Sequence, residues 1–338
     1  MIPRHDSLLS ADRDAGRRRT VGVLVGTLCG VAWGSQFPVA KSLFATVDPY
    51  TLVAIRYGVA ALVFLGVLAA VEGRGAVRYE GRLRHALLIG STGVTGGVLL
   101  VWVGLEHARP QDIALVVATQ PLMTAIVNRL LGGPRLRRVT LVAIAVALAG
   151  VTLVITRGHP TSLSDGELGW GVLIAGFGQF WWALYTIETG RYPGWSPLRI
   201  TALTAWPGGL TVAAIAVIAA SAGWTHPAAE AIWDARGALV YIVLVTTVFA
   251  VFAWNFARLR IGAQNTSLFM NLVPVSTFAI ETARGYRPNT AELAGAALVI
   301  AALVANNILL REPRGAKDSR LASAAGERAA SPPNVSRR

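Results

Sequence analysis

The sequence has a single cysteine, Cys29, and few charged residues, and each shortage excludes a class of protein. One cysteine cannot form an internal disulfide, so a fold held together by disulfides is excluded. Charged residues make up 14% of the chain, whereas soluble domains contain about 25%. Hydrophobic residues make up 54%. This balance predicts an integral membrane protein.

Motifs for enzyme chemistry and for metal binding are also lacking. The histidines fall in tails, loops or the ends of apolar runs, and none belongs to a His-Glu-x-x-His motif. They are His5, His85, His107, His159 and His226. The chain has no Gly-x-Ser-x-Gly elbow and no Walker phosphate loop. We therefore expect no enzyme activity, no metal site and no cofactor.

Long apolar runs are abundant instead. Ten of them, each about 18 to 25 residues long, could cross a hydrocarbon core of about 30 Å as helices. They lie at residues 20 to 40, 50 to 71, 85 to 105, 112 to 131, 139 to 156, 168 to 189, 198 to 222, 237 to 257, 263 to 283 and 291 to 310. Strands of a β-barrel, about ten residues long, do not fit these runs. The predicted fold is an all-α integral membrane protein with ten transmembrane helices.

Lysine and arginine are unevenly distributed between alternate connectors. One set of connectors, together with both tails, holds 24 of them, and the other set holds six. Because positive loops stay on the cytoplasmic side, the tails 1–19 and 311–338 are predicted to be cytoplasmic, the second one disordered. This topology explains the net charge of +13. Since the basic residues are not gathered on one folded face, no nucleic-acid partner is expected.

The second half of the chain repeats the first. PQDIALVVATQP in the fourth run aligns with AQNTSLFMNLVP in the ninth at an offset of 153 residues. The corresponding pairs are Gln111 with Gln264, Asp112 with Asn265, Pro121 with Pro274 and, at a similar offset, Trp33 with Trp182. Because each copy contains five runs, the second copy enters the membrane from the opposite side. The pattern predicts two inverted repeats, residues 20–157 and 168–310, an architecture typical of transporters.

Several motifs in this order resemble the EamA-type members of the drug/metabolite transporter superfamily. They are WGSQFPVAK, DPYTLVAIRY, ALVVATQPLMTAI, WWALYTIE and SLFMNLVPVSTFAIE. The resemblance covers residues 20 to 310 and implies a ten-helix bundle, alternating access and a central cavity lined mainly by spans 1, 3, 4, 6, 8 and 9. One feature departs from the family. Members often carry Gly-Glu after the fourth and ninth spans, where this chain has Gly132-Gly133-Pro134 and Gly285-Tyr286-Arg287.

Polar and aromatic residues inside the runs are the candidates for a substrate cavity. Trp33 and Gln36 lie in the first run, and Gln179, Trp182 and Tyr185 recur every three residues in the sixth, on roughly one helical face. Such rings could stack on a planar or cationic cargo while an amide orients it. Further candidates are Trp102, Gln120, Asn255 and Asn271. Close packing and interhelical hydrogen bonds are the structural alternative for all of them.

Two prolines and two charged residues complete the set of candidates. Pro121 and Pro274 fall within corresponding runs, where each frees a carbonyl and allows a kink that could serve gating or be purely structural. Arg56 lies about two turns into the second run, where it could snorkel, pair with a carboxylate or attract an anionic cargo. Glu281 lies near the end of the ninth run. Proton coupling would need ionisable residues within the membrane, and the runs contain no convincing pair of carboxylates. Proton coupling is therefore left open.

These observations predict a secondary active transporter in the cytoplasmic membrane. By the resemblance, it exports a small metabolite, such as an amino acid or a related amphiphile, by alternating access. Its expected partners are a small-molecule substrate and the lipid bilayer, and a homodimer is left open. The alternative is a membrane scaffold or sensor on the same fold that transports nothing.

Overall fold

The computed structural model describes residues 5–133, 135–159, 169–261 and 266–309. All regular secondary structure in these ranges is helical. The first six α-helices are α1 (His5–Leu43), α2 (Pro49–Val71), α3 (Leu83–Glu106), α4 (Pro110–Ala118), α5 (Gln120–Leu130) and α6 (Arg138–Ile155). The others are α7 (Gly169–Glu188), α8 (Pro197–Ser221), the short α9 (Ala229–Asp234), α10 (from Arg236 to Ile261), α11 (Leu272–Ala283) and α12 (Thr290–Leu309).

Within these ranges, six helices are long and apolar enough to cross a membrane. They are α1, α2, α3, α6, α8 and α10. The bent pair α4 and α5 makes a seventh span if the two helices are counted as one. In α12, the apolar part Thr290–Asn306 is shorter than these spans. Helix α7, which contains four glycines, three tryptophans and Gln179, is not among the six. The protein is therefore an all-helical, multi-pass membrane protein, and the count of ten spans stays a prediction.

Some boundaries differ from those predicted. Helix α1 begins at His5, so most of the predicted tail 1–19 continues the first span as a helix. Residues 5–19 contain no proline and include four arginines, two leucines and two alanines, which favour helix. The fourth run is not one helix, because it bends by 48° between α4 and α5. Pro121, just after the bend, has no N–H to donate to the carbonyl one turn earlier.

Irregular segments interrupt two further helices and precede a third. Helix α3 contains a π-helical segment at Thr92–Leu99, and α10 contains one at Tyr241–Phe249. A 3₁₀ turn, Ser267–Asn271, precedes α11, so the predicted run 263–283 contains an α-helix of only 12 residues. Such interruptions leave backbone groups to be satisfied by neighbouring helices.

The helices pack in pairs around one main core. Helix α1 lies against α10 and α11, and α7 lies against α3, α4 and α5. Helix α2 pairs with α8, and α6 pairs with α12. The last pair comes close at Gly150 and Gly295, where a Cβ on either residue would lie within 2.6 Å of the other's carbonyl oxygen. Small residues thus let the two backbones meet, as is common between helices in membranes.

Part of the predicted repeat and one predicted tail cannot be compared with the structure. Gln264, Asn265 and residues 311–338 lie outside the described residues, as does Pro134.

Candidate functional site

Trp33 and Gln36 lie about one turn apart on α1. The Trp33 ring packs against Trp254 of α10, with the ring centroids 5.2 Å apart. Between them in sequence, the Ser35 hydroxyl forms a 2.6 Å hydrogen bond with the Tyr241 phenol of α10. Gln36 is 8% exposed, and its Oε1 accepts no hydrogen bond from any described residue. Helix α1 therefore carries an aromatic contact to α10 and a buried amide with an unused acceptor.

A second aromatic face lies on α7. The rings of Trp182 and Tyr185 are 5.2 Å apart and pack on glycines of α3. A Cβ at Gly97 would lie 3.2 Å from the Trp182 side chain, and one at Gly93 would lie 2.6 Å from the Tyr185 ring. Gln179, one turn earlier, is 4% exposed, and its Oε1 has no partner among the described residues. The three residues predicted to share a face are thus buried or half-buried against the bundle.

The bend between α4 and α5 positions Gln120 and Pro121. Gln120 is the first residue of α5, and its Nε2 lies 3.2 Å from the Thr124 hydroxyl, to which it donates a hydrogen bond. Its buried Oε1 is unpartnered in the described part of the chain. In the second half, Asn271 closes the 3₁₀ turn before α11, and Pro274 lies in the first turn of that helix. Both predicted prolines therefore adjoin an interruption, and a role in gating stays a prediction.

Arg56 of α2 is 5% exposed, so it does not snorkel towards solvent. Its Nε donates to the Thr247 hydroxyl of α10 at 2.5 Å, and its Nη2 lies 3.5 Å from the Thr246 carbonyl oxygen. The guanidinium carbon lies 4.8 Å from the centroid of the Trp102 ring. Among the described residues, no carboxylate forms an ion pair with Arg56, and its buried Nη1 has no hydrogen-bond acceptor.

Trp102 links Arg56 to the apolar core. It is 2% exposed, and besides its contact with the guanidinium it makes an edge contact with Phe44, at a centroid distance of 6.3 Å. Its ring face supplies a cation–π contact to Arg56, which is favourable where the cation is desolvated. The structure thus brings together two residues that the sequence predicted as separate candidates.

Asn255 and Glu281 lie apart from these contacts. Asn255, next to Trp254, is half-buried. Glu281 lies in the last turn of α11, and its carboxylate is 3.8 Å from the Arg284 guanidinium, which also donates to the Pro38 carbonyl oxygen at 3.0 Å. Glu281 is therefore part of a loose pair at a helix end rather than a partner of Arg56.

Sequence reasoning missed one buried ion network. Arg109 donates to both carboxylate oxygens of Asp112 at 2.8 Å and to Glu292 at 2.7 Å. Glu292 in turn accepts hydrogen bonds from Tyr286 and from the backbone N–H of Asn289. Asn289 and Glu292 form the reciprocal capping box of α12, a spacing of three residues that could have been found in the sequence. The network joins the ends of α4 and α12.

No group of three or more histidine, cysteine, aspartate or glutamate side chains in the described ranges could hold a metal ion. The groups present instead suit noncovalent recognition. Aromatic faces take apolar or cationic groups, unpartnered amide oxygens accept hydrogen bonds, and the guanidinium donates them. This combination can bind a small molecule that has both apolar and polar parts.

Comparisons with known proteins agree with this description. The EamA-like transporter family model matches residues 20–156 and 169–308. The YyaM transporter of Bacillus subtilis (strain 168) is 30% identical over 287 residues, which cover 83% of this chain and 92% of YyaM. The YrdR transporter of the same organism is 26% identical, with 86% and 92% covered. A probable terminal-alkyne amino-acid exporter of Streptantibioticus cattleyicolor is also 26% identical, with 86% and 93% covered.

A solved crystal structure has the same fold. It superposes with a TM-score of 0.61 at 19% sequence identity and covers 87% of this chain and all of the solved chain. The family model matches most of both halves of the sequence, and relatives with transporter names align over most of their own lengths. The protein therefore belongs to the EamA-like transporter family.

Proposed function

We propose that the protein is a secondary active transporter that exports a small amino-acid-like metabolite across the cytoplasmic membrane by alternating access. The observation that carries this proposal is a set of buried amide oxygens, on Gln36, Gln120 and Gln179, that have no partner among the described residues. They accompany aromatic pairs on α1, α7 and α10. A buried acceptor without a donor is unfavourable. A cargo with N–H groups supplies the missing donors, and the rings contact its apolar part.

The pairing of helices supports the proposed inverted repeats, 20–157 and 168–310. If the first repeat contains α1 to α6 and the second contains α7 to α12, α1 corresponds to α7 and α3 corresponds to α10. The contact of α1 with α10 then matches the contact of α7 with α3, and the contact of α2 with α10 matches that of α8 with α3. In the two remaining pairs, α2 with α8 and α6 with α12, each helix contacts its own counterpart in the other repeat. A two-fold relation between the repeats produces this pattern, and the odd number of spans in each repeat puts the proposed axis in the membrane plane.

The interruptions also occur at corresponding places, which supports alternating access. The π-helical segments lie in α3 and α10, and the irregular turns lie beside Pro121 and Pro274. Irregular backbone at membrane depth is tolerated where it lines a cavity or is buried in protein. Two matched sets of bending points allow the halves to move against each other around a central site.

The class of cargo and the direction of transport rest on the aromatic and amide groups together with the relatives. The name of the Streptantibioticus cattleyicolor relative describes a probable terminal-alkyne amino-acid exporter, and we extend amino acids as the class of cargo to this chain. Cytoplasmic termini remain a prediction from the sequence, and proton coupling and a homodimer stay open.

Comparison of metabolites in producing cells tests the proposal. Cells making the wild type, Trp182→Ala, Gln179→Ala or no protein are grown in parallel, and metabolites in medium and cytoplasm are quantified. Trp170→Ala is the matched control, because Trp170 lies on the same helix and is 67% exposed. We expect one class of compound to be enriched in the medium with the wild type and the control, and not with the two site variants.

Flux into vesicles containing the purified protein separates a transporter from a scaffold or sensor. Uptake of the enriched compound above that of protein-free vesicles supports transport. A correctly inserted protein that moves no candidate compound in either direction would contradict the proposed function. Normal flux in both Trp182→Ala and Gln179→Ala would contradict the site while leaving the function in place.

A further inference from the structure

Arg56 is a buried cation with an unfinished set of hydrogen bonds. Its Nε is satisfied by Thr247, but its Nη2 lies 3.5 Å from the nearest acceptor, the Thr246 carbonyl oxygen, and its Nη1 has no acceptor among the described residues. The edge of the guanidinium between Nη1 and Nη2 is therefore nearly unused.

The charge of Arg56 is also uncompensated in the described part of the chain. The rings of Trp102 and Tyr57, whose centroids lie 4.8 Å and 5.6 Å from the guanidinium carbon, favour a cation but carry no negative charge. Arginine keeps its proton in proteins. A desolvated cation without an anion is unfavourable, so such residues in membrane spans are paired or functional.

We propose that Arg56 binds the carboxylate of the transported molecule, an inference that rests on the proposed transport function. A carboxylate presents two oxygens in one plane, at the spacing of the two Nη donors, and forms two parallel hydrogen bonds with them. The cargo therefore carries a carboxylate rather than only a cationic or neutral head group.

The surrounding groups narrow the cargo further. Tyr57, beside Arg56 in the chain, and Tyr185 of α7 both pack against the same buried apolar cluster, and the Tyr185 ring also contacts Trp182. The amide oxygens of Gln36 and Gln179 can accept hydrogen bonds from an ammonium group. An anion binder, unused acceptors and aromatic faces together match an amino acid with an aromatic or large apolar side chain.

Four related probes test for the carboxylate. They are L-phenylalanine, 3-phenylpropionate, L-phenylalaninamide and phenethylamine, of which only the first two carry a carboxylate. Uptake of each labelled probe is measured in proteoliposomes containing the wild type, Arg56→Gln or Arg56→Lys. Arg236→Gln is the matched control, because Arg236 bonds only locally, to the Trp233 carbonyl oxygen at a helix end.

We expect the wild type and Arg236→Gln to take up L-phenylalanine at least tenfold faster than L-phenylalaninamide, which keeps the ammonium group but lacks the carboxylate. Arg56→Gln should abolish this preference, and Arg56→Lys, which keeps the charge without the planar fork, should retain part of it. A preference for L-phenylalanine that is unchanged in a folded Arg56→Gln protein would overturn the proposal. So would a wild type that moves L-phenylalaninamide as fast as L-phenylalanine.

A binding measurement keeps failure of transport separate from failure of this inference. If the wild type moves none of the four probes, the proposed function loses support, and the melting temperature of the purified protein is measured with each probe. An increase with L-phenylalanine in the wild type and in Arg236→Gln, but not in Arg56→Gln, supports carboxylate binding. No increase with either acid in the wild type would overturn it.

Discussion

Thr277 of α11 donates a 2.7 Å hydrogen bond to the carbonyl oxygen of Gly34 on α1. Pro38 lies four residues after Gly34 and has no N–H, so this carbonyl lacks the donor that a regular helix would provide. The hydroxyl of another helix thus completes the hydrogen bonding that the proline disrupts. A proline that would be costly against lipid is thereby accommodated within the bundle.

Thr277→Val should destabilise the protein, because it leaves the Gly34 carbonyl buried without a donor. The expected loss is about 1 to 3 kcal/mol, measured from unfolding of the purified protein, while Thr277→Ser should keep most of the stability. Thr152→Val is the control, since the Thr152 hydroxyl is exposed and bonds only within its own helix. Equal loss in both valine variants would show that the bond between α1 and α11 does not stabilise the fold.

Gly34→Ala should prevent close packing of α1 on α11. A Cβ at Gly34 would overlap the Ser276 hydroxyl and the Val273 carbonyl oxygen. Because one of these atoms is backbone, removing the hydroxyl with Ser276→Ala should restore little of the lost thermal stability. Gly66→Ala is the matched control: Gly66 also lies within a helix but has no atom near its Cβ position. That variant should be neutral or more stable by up to about 1 kcal/mol.

Class and family were predictable from the sequence because they depend on patterns that the chain shows directly. Apolar length indicated membrane helices, and the order of motifs in both halves indicated the family. Local features with a known chemical signature were also predictable from the sequence. Pro121 and Pro274 indicated possible kinks in the fourth and ninth runs, and both lie beside an interruption of the helix.

The partners of individual residues were not predictable, because they lie far apart in the chain. Arg56 and Thr247 are separated by 191 residues, and Arg109 and Glu292 by 183. Periodicity places a residue on a helix face but does not say which helix covers that face. For the same reason, only the structure could show that Arg56 is buried and has no carboxylate partner among the described residues.

Glu292→Gln should be strongly destabilising. Glu292 is fully buried, accepts a hydrogen bond from Arg109 at 2.7 Å, and caps the start of α12. Loss of its charge removes one of the two carboxylates that bond Arg109, which keeps both bonds to Asp112, so the expected cost is about 1.5 to 3 kcal/mol. Glu281→Gln, whose ion pair is 3.8 Å long and partly exposed, should cost less than about 1 kcal/mol. Similar unfolding transitions for the two variants would contradict the assigned role of the network.

Stability should depend on Glu80 at acidic pH. Hydrogen bonds from Arg199 and Trp195 lower the pKa of Glu80 from its ordinary value of 4.5. The ionised form is therefore favoured by folding. Its contribution is present above pH 4.5 and is lost as the pH falls through the lowered pKa. We expect melting temperatures of the wild type and Glu80→Gln to differ slightly at neutral pH and to converge at lower pH, with a smaller difference in high salt. A melting-temperature difference that grows on acidification would contradict this prediction, because it would mean that folding raises the pKa of Glu80.

Gln179→Leu distinguishes a binding residue from a structural one. If the Gln179 amide served mainly to join helices, leucine would remove a hydrogen bond and lower the melting temperature. Its Oε1 has no partner in the described structure, so replacement by an apolar side chain of similar size should leave the melting temperature unchanged or raise it. Flux of the cargo should nevertheless fall by about tenfold or more, since one lost hydrogen bond to a charged group is worth roughly 1.5 to 3 kcal/mol. Leu173→Ala, on the exposed face of the same helix, is the control for flux. If the Gln179→Leu protein were less stable and its flux were normal, the Gln179 amide would have a structural role and would not bind the cargo.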